Sequence, residues 1–127
     1  MDILLDTHVI LWFFDEDKRL SQTAIDAINS PDNKKYVSIA SLWEAAIKSS
    51  LGKLKLDGGI GAFIENIDDN GFLLLPITTE HIKTVMNLPY HHRDPFDRML
   101  IAQAISEGIS VMTNDDYIMT YDVNHIW

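Results

Sequence analysis

The sequence predicts an α/β fold: a single domain in which a short parallel sheet of four to five strands carries helices on both faces. Short, continuous apolar runs such as Ile3–Leu5 are typical of strands that are buried on both sides. Most of these runs alternate with segments of helical spacing that begin with a capping residue. No repeat, low-complexity tract or linker divides the 127 residues, so we expect one domain.

The predicted elements alternate along the chain. Strands are expected at residues 1–5, 35–38, 72–75, 109–112 and, in the tail, 123–127. Helices are expected at residues 8–14, 21–28, 41–51, 62–69, 79–87 and 94–107.

Capping residues define the first three helices. Thr7 is the expected cap of a helix that is apolar nearly all round, which indicates deep packing or an interface. Ser21 is the expected cap of the second helix. The third helix is expected to open at Ser41, because Ser41 and Glu44 have the spacing of a capping box, and to stop at Gly52.

Glycines and prolines define the later elements. Three glycines precede the fourth helix, and Pro76 stops the third strand. Thr78 or Thr79 can cap the fifth helix. The sixth helix has Asp94 as its N-cap, Pro95 at its first position and Gly108 after its last turn, the order that helix ends prefer.

Composition excludes several classes of protein. The chain has no cysteine, so it has neither a disulfide framework nor a thiolate metal site. A net charge of −9 argues against a protein that coats nucleic acid, but not against an enzyme that reaches nucleic acid through bound cations. The longest apolar run, Val9–Phe14, is too short to span a membrane. The first residues lack the features of a signal peptide, so a cytoplasmic location is expected.

Four separate segments bring carboxylates to one predicted edge of the sheet. Asp6 follows the first strand, and Glu44 is expected in the first turn of the helix after the second strand. Asp97 is expected in the first turn of the helix that leads to the fourth strand, and Asp115, with Asp116 beside it, follows that strand. Because sites in parallel sheets collect beyond the carboxyl ends of the strands, we expect these acids to meet.

Each acid also has a structural interpretation. Asp6 could cap the next helix, and Glu44 could complete the capping box or pair with Lys48 four residues later. Asp97 could complement a helix dipole, and Asp115 could be a turn residue. Four unrelated caps at one edge are a weaker explanation than one shared site.

Clustered carboxylates favour a site for a hard divalent cation, Mg²⁺ or Mn²⁺. Zinc is disfavoured because no cysteine or histidine pair has ligand spacing. His91 and His92 are adjacent and should diverge, so we expect loop residues, with a substrate-facing role as the alternative. Nucleophile-elbow and P-loop motifs are absent. Metal-dependent hydrolysis of nucleic acid is the leading class.

Five further residues are candidates for contacting substrate or supporting the metal ligands. His8 lies close to Asp6 in the sequence and could orient substrate. Arg93 and Arg98 could contact a phosphate, although Arg98 could equally pair with a neighbouring acid. Asp94 is first an N-cap, with a hydrogen bond to a ligand residue as the alternative. Asp116 is the remaining candidate.

Several stretches, in order along the chain, match the motifs of one family. They are residues 4–12, 38–48, 51–54, 88–89, 92–104 and 113–115, with Tyr121 and Trp127. The most specific is His-Arg-Asp-Pro-Phe-Asp-Arg at 92–98. On these residues the sequence resembles the PIN-domain ribonucleases, specifically the VapC-like toxins of bacterial toxin–antitoxin pairs, over essentially all of 1–127.

The resemblance implies an endoribonuclease that uses Mg²⁺ or Mn²⁺, forms homodimers and is inhibited by a cognate antitoxin. It implies that the catalytic and metal-binding acids are Asp6, Glu44, Asp97 and Asp115. One departure concerns the last motif, because many relatives have Thr-Arg-Asp where this chain has Thr113–Asp116. Asp115 matches the motif position and is preferred over Asp116. The alternatives are a non-catalytic interaction module of the same fold and a solitary RNA-processing nuclease.

Overall fold

The computed structural model describes residues 1–127 and contains twelve elements. The strands are β1 (Asp2–Leu5), β2 (Lys34–Ser38), β3 (Leu73–Leu75), β4 (Ser110–Met112) and β5 (His125–Ile126). The helices are α1 (Thr7–Phe14), α2 (Gln22–Asn29), α3 (Ile39–Ser50), α4 (Gly59–Asp69), α5 (Thr79–Met86), α6 (Pro95–Glu107) and α7 (Asp116–Met119). None of these helices combines the length and apolar character needed to cross a membrane.

The five strands form one parallel sheet in the order β3-β2-β1-β4-β5, which confirms the predicted fold class. Strand β1 is central, and its side chains alternate between two cores. Ile3 and Leu5 pack in the core that includes residues of α1, α2 and α4. Leu4 packs in the opposite core, with Leu100 and Ile101 of α6. Helices therefore cover both faces of the sheet, as the apolar strands predict.

Helix α3 begins two residues earlier than predicted. Ser38, the last residue of β2, is the N-cap, and its hydroxyl accepts the backbone N–H of Ala40 at 3.0 Å. The strand therefore passes into the helix without a loop. The predicted capping box at Ser41 is wrong, because Ser41 lies inside the helix and shares a hydrogen bond of 2.8 Å with Thr7. Glu44 consequently lies in the second turn rather than the first.

At several other helix ends, the capping residue in the structure is the one predicted from the sequence. Thr78 caps α5, and Asp94 caps α6 by accepting the N–H groups of Phe96 and Asp97, both at 2.9 Å. Gly108 ends α6 in the left-handed region, at φ 67°. Helix α1 begins at Thr7 itself, one residue before the predicted start. Helix α4 begins three residues before its predicted start, and the short α7 was not predicted.

Candidate active site

The four predicted acids lie on the elements that the sequence assigns to them, at the carboxyl edge of the sheet. Asp6 directly follows the central strand and is 3% exposed. Glu44, on α3, is 2% exposed. Asp97 lies in the first turn of α6, and Asp115 follows β4. Burying an ionised carboxylate is costly unless hydrogen-bond donors or a cation satisfy its oxygens.

Asp6 occupies the N-cap position of α1, but its side chain makes no capping hydrogen bond. Capping therefore does not account for this carboxylate. Oδ2 accepts the hydroxyl of Thr113 at 2.9 Å, whereas Oδ1 is buried without a partner. Burial is the main cause that raises the pKa of Asp6, and the charge of Asp115 adds to it. The Thr113 bond and His8 oppose this rise.

Glu44 has one satisfied oxygen and one unsatisfied oxygen. Oε2 accepts Nζ of Lys48 at 2.7 Å, so the predicted pair four residues apart is present. Oε1 is buried without a partner. The bond to Glu44 is the main cause that raises the pKa of Lys48, and the charges of Asp94 and Asp97 contribute further. Lys48 therefore interacts electrostatically with several acids of the site. Its spacing four residues from Glu44 predicts only the contact with Glu44.

Asp97 is influenced both by its burial and by the charges of neighbouring acids. Burial, followed by the charge of Asp6, raises its pKa from 3.8 to about 7, with smaller contributions from Asp94 and Glu44. A hydrogen bond of 2.7 Å between Oδ2 and Nε2 of His92 opposes the rise. In the metal-free protein this carboxyl is therefore protonated in a large fraction of molecules near neutral pH.

His92 is a member of the cluster that the sequence interpretation missed. One ligand atom each from His92, Asp97 and Asp115 lies within 4.8 Å of the other two. The ring of His92 stacks on Tyr117, with 4.9 Å between centroids and 10° between planes. The expectation of a loop residue is correct for its backbone. The sequence spacing does not predict this contact, because it depends on the loop before Asp94 folding back onto α6.

Asp115 and its neighbour Asp116 have different surroundings. Oδ1 of Asp115 accepts the N–H groups of Tyr117 and Ile118, at 2.8 and 3.0 Å, and so caps α7. Both bonds use the same oxygen, which leaves Oδ2 for another ligand. Asp116 is exposed at the first position of α7. Asp115, and not Asp116, belongs to the cluster of possible ligand atoms.

These donors fit a hard divalent cation. Asp6 and Glu44 each present a buried carboxylate oxygen with no partner, and such orphaned oxygens are rare without an ion or water to satisfy them. The acids repel one another, as the raised pKa of Asp97 shows. A cation removes both costs, and Mg²⁺ and Mn²⁺ prefer oxygen ligands of this kind.

The family comparison agrees with this fold. The family model for the PIN domain matches residues 3–123. The chain belongs to the PIN domain family. It is also 30% identical over 114 residues to Ribonuclease VapC22 from Mycobacterium tuberculosis, an alignment that covers 89% of this chain and 86% of the relative. The resemblance to VapC-like PIN domains is thus confirmed.

Solved structures share the fold of this PIN domain. VapBC2 from Rickettsia felis, bound to a DNA fragment from its promoter, has a TM-score of 0.72 at 14% identity and covers 99% of this chain and 98% of its own. DNA-bound VapBC from Salmonella typhimurium has a TM-score of 0.71 at 15% identity, covering 99% and 97%. VapBC-5 from Mycobacterium tuberculosis has a TM-score of 0.66 at 22% identity, covering 98% and 97%. At these identities the likeness shows the fold alone.

Arg98 of this PIN domain does not pair with an acid, so that expectation is wrong. The residue is 6% exposed, and its guanidinium donates to the carbonyls of Val85, Leu88 and Pro89 at 3.0–3.3 Å. It also donates to the hydroxyl of Tyr121 at 3.3 Å. These carbonyls lie at and beyond the end of α5, where a helix leaves acceptors unpaired. Arg98 therefore holds this turn and is too buried to face a substrate phosphate.

The other candidates differ in their exposure and contacts. Arg93 is exposed and lines a cavity of about 370 Å³ with Trp43 and Phe96. The rings of Trp43 and Phe96 pack edge to face, with 5.3 Å between their centroids. His8 is exposed, and its charge acts on the pKa of Asp6. Asp94 is the N-cap that the sequence predicts. Arg93, His8 and Asp116 are therefore the candidates that are exposed.

Proposed function

We propose that residues 1–127 form one nuclease domain that cleaves RNA internally with Mg²⁺ or Mn²⁺. The catalytic and metal-binding residues of the proposal are Asp6, Glu44, Asp97 and Asp115. The observation that carries it is that Asp97 and Asp115 lie in one cluster of possible ligand atoms. Asp6 and Glu44, whose charges act on Asp97, each keep a buried oxygen without a partner. The ribonuclease activity named for the relative from Mycobacterium tuberculosis supports RNA as the substrate.

A divalent cation held by these carboxylates supplies Lewis-acid chemistry, which activates water and stabilises the developing charge of a phosphodiester. The chain's own residues prepare the site. Asp6 and Glu44 each commit one oxygen to a protein donor and keep the other free. Asp97, with a pKa of about 7, would have to be ionised to hold the cation, so binding would compete with its proton. Lys48 neutralises one oxygen of Glu44 and, at 40% side-chain exposure, lies at the rim of the site.

The proposal extends to a partner and to a location. The similar structures from Rickettsia felis and Salmonella typhimurium are VapBC assemblies, and one from Klebsiella pneumoniae is described as a toxin–antitoxin complex. This supports the toxin of a type II pair, inhibited by a cognate antitoxin protein. Such an enzyme would act on RNA in the cytoplasm.

A homodimer is also part of the proposal. Most large apolar side chains of α1 pack inward, so this helix gives less support for an interface than its composition suggests. Trp43 and Tyr90 line one apolar cavity and are 61% and 80% exposed. Met86, 83% exposed, follows the cavity residue Val85. A second copy that covers these residues would remove a large apolar patch from water.

Two measurements on the purified chain test the proposal. Calorimetric titration with MnCl₂ should show binding, and cleavage of a structured RNA should require Mg²⁺ or Mn²⁺ and stop with EDTA. Asp115→Asn should lose both, whereas Asp116→Asn, its exposed neighbour, is the matched control and should keep both. A chain that takes up no Mn²⁺ and cuts no RNA would be a non-catalytic interaction module of the PIN fold.

A further inference from the structure

His92 contacts the acid quartet without being one of its carboxylates. Its Nε2 lies 2.7 Å from Oδ2 of Asp97, and its side chain is partly buried. Against an ionised Asp97, which has only acceptors, the imidazole N–H is the donor. The hydrogen bond therefore occupies one oxygen of Asp97 and leaves Oδ1 available.

His92 is held at two points, its backbone and its ring, by the segment that follows Asp115. The backbone N–H of His92 donates to the hydroxyl of Tyr121 at 3.0 Å, and that hydroxyl donates in turn to the carbonyl of Pro89 at 2.7 Å. The ring is stacked nearly parallel on Tyr117. His92 thus has a fixed backbone and a fixed ring plane before any cation binds.

The same segment links His92 to a second acid. Asp115 accepts a hydrogen bond from the backbone N–H of Tyr117, and the ring of Tyr117 stacks on the imidazole of His92. A series of contacts through His92 and Tyr117 therefore joins Asp97 on α6 to Asp115 after β4. When a residue that hydrogen-bonds to a metal-ligating carboxylate is mutated, metal affinity typically falls by about 10–100-fold.

We propose that His92 is a positioning residue: its Nε2–H group fixes the Asp97 carboxylate so that Oδ1 is presented to a divalent cation together with Asp115. The inference rests on the proposed function, because it assumes that these acids bind a cation. It adds a residue from the loop before α6 to a site otherwise built from carboxylates. His91, the adjacent residue, contacts Tyr121 instead and lies outside the cluster.

The experiment separates the hydrogen bond from the packing of the ring. His92→Phe keeps an aromatic ring against Tyr117 and removes the donor, whereas His92→Gln keeps a donor near the position of Nε2 and removes the ring. Titration of the full chain with MnCl₂ should show an affinity about 10–100-fold weaker for His92→Phe. His92→Gln should restore most of the lost affinity. His91→Phe is the matched control and should bind Mn²⁺ as the wild type does.

Unchanged Mn²⁺ affinity in His92→Phe would overturn the inference, and so would a His92→Gln protein as weak as His92→Phe, because packing would then be the cause. If His92→Phe does not fold by circular dichroism, Tyr117→Leu gives the second test. It removes only the stacking partner and should also weaken Mn²⁺ binding, whereas wild-type affinity would count against the inference. Wild-type protein that binds Mn²⁺ but cuts no RNA would contradict the proposed function alone, and one that binds no Mn²⁺ would overturn both.

Discussion

The hydroxyl of Thr113 donates a hydrogen bond of 2.9 Å to Oδ2 of Asp6, although 107 positions separate the two residues. The pairing of β1 with β4 brings them together, because both residues directly follow their strands. The same hydroxyl oxygen accepts the backbone N–H of Asp115 at 3.0 Å. One buried side chain therefore orients Asp6 and positions the backbone of Asp115.

Thr113→Val tests this double role, because valine keeps the shape of threonine and removes the hydroxyl. Loss of the bond leaves a buried acceptor unpaired, so the free energy of unfolding should fall by about 1–3 kcal/mol. The pKa of Asp6 should rise further, and Mn²⁺ affinity should fall about 10–100-fold. Urea denaturation and calorimetry measure the two effects. Thr113→Ser retains the hydroxyl, and equal behaviour of the two variants would contradict the prediction.

The stability of the metal-free protein should depend on pH through Asp97. Its pKa is about 7 in the folded protein against an ordinary value of 3.8, so the folded state binds this proton more tightly than the unfolded chain does. The stabilisation is complete below pH 4 and is lost as the pH rises to about 7, an effect on the order of 4 kcal/mol. The raised pKa of Asp6 acts in the same direction.

Urea denaturation in EDTA between pH 5 and pH 8 measures this contribution. From pH 5 to pH 8, the free energy of unfolding of the wild type should fall more than that of Asp97→Asn, which lacks the titrating group. Saturating Mg²⁺ should abolish the difference in slope, because cation binding favours the ionised carboxylate. Parallel curves for the two metal-free proteins would show that Asp97 does not titrate in this window.

Asp97→Asn should abolish cleavage while it preserves the fold. The substitution keeps the shape of the side chain but removes a charge that a cation requires, so the rate of RNA cleavage should fall by at least about 100-fold. Metal-free stability at pH 8 should be equal to or higher than that of the wild type, because one of several mutually repelling charges is gone. A variant that cuts RNA at the wild-type rate would remove Asp97 from the site.

Local signals explain why much of the site could be predicted from sequence. Asp6 and Asp115 follow apolar strands, and Asp94 with Pro95 fixes the start of α6, which places Asp97 in the first turn. Parallel pairing then brings these positions to one edge of the sheet. Glu44 was placed near this edge even though the helix register was wrong, because a shift of two residues leaves it close to the carboxyl end of β2.

Tertiary contacts account for what the sequence did not show. Serine is a good cap at either position, but Ser38 caps the helix in the structure, and Ser41 lies inside it with its hydroxyl against Thr7. His92 joins the acids through the fold of its loop and through Tyr117, 25 positions further along the chain. Arg98 lies next to an acid in sequence, but helical geometry directs it toward the carbonyls beyond α5. These contacts depend on residues that are distant in the sequence, so local sequence patterns cannot predict them.

The inward position of Arg98 predicts a structural cost when its geometry is altered. Its two terminal nitrogens contact the carbonyls of Val85, Leu88 and Pro89, with Tyr90 stacked at 4.0 Å from the guanidinium carbon. A lysine keeps the charge but is a single point donor and cannot replace the planar fork. Arg98→Lys should therefore leave buried carbonyls unpaired and lower the free energy of unfolding by about 3 kcal/mol.

Urea denaturation in EDTA measures the cost, with Arg93→Lys as the matched control. Arg93 is exposed and makes no ion pair, so its conservative change should alter stability by no more than about 0.5 kcal/mol. If Arg98 instead acted on the substrate, Arg98→Lys would unfold at the wild-type urea concentration and cleave RNA more slowly. The packing predicts the opposite: Arg98→Lys should unfold at a lower urea concentration than the wild type, because the buried carbonyls lose their donors.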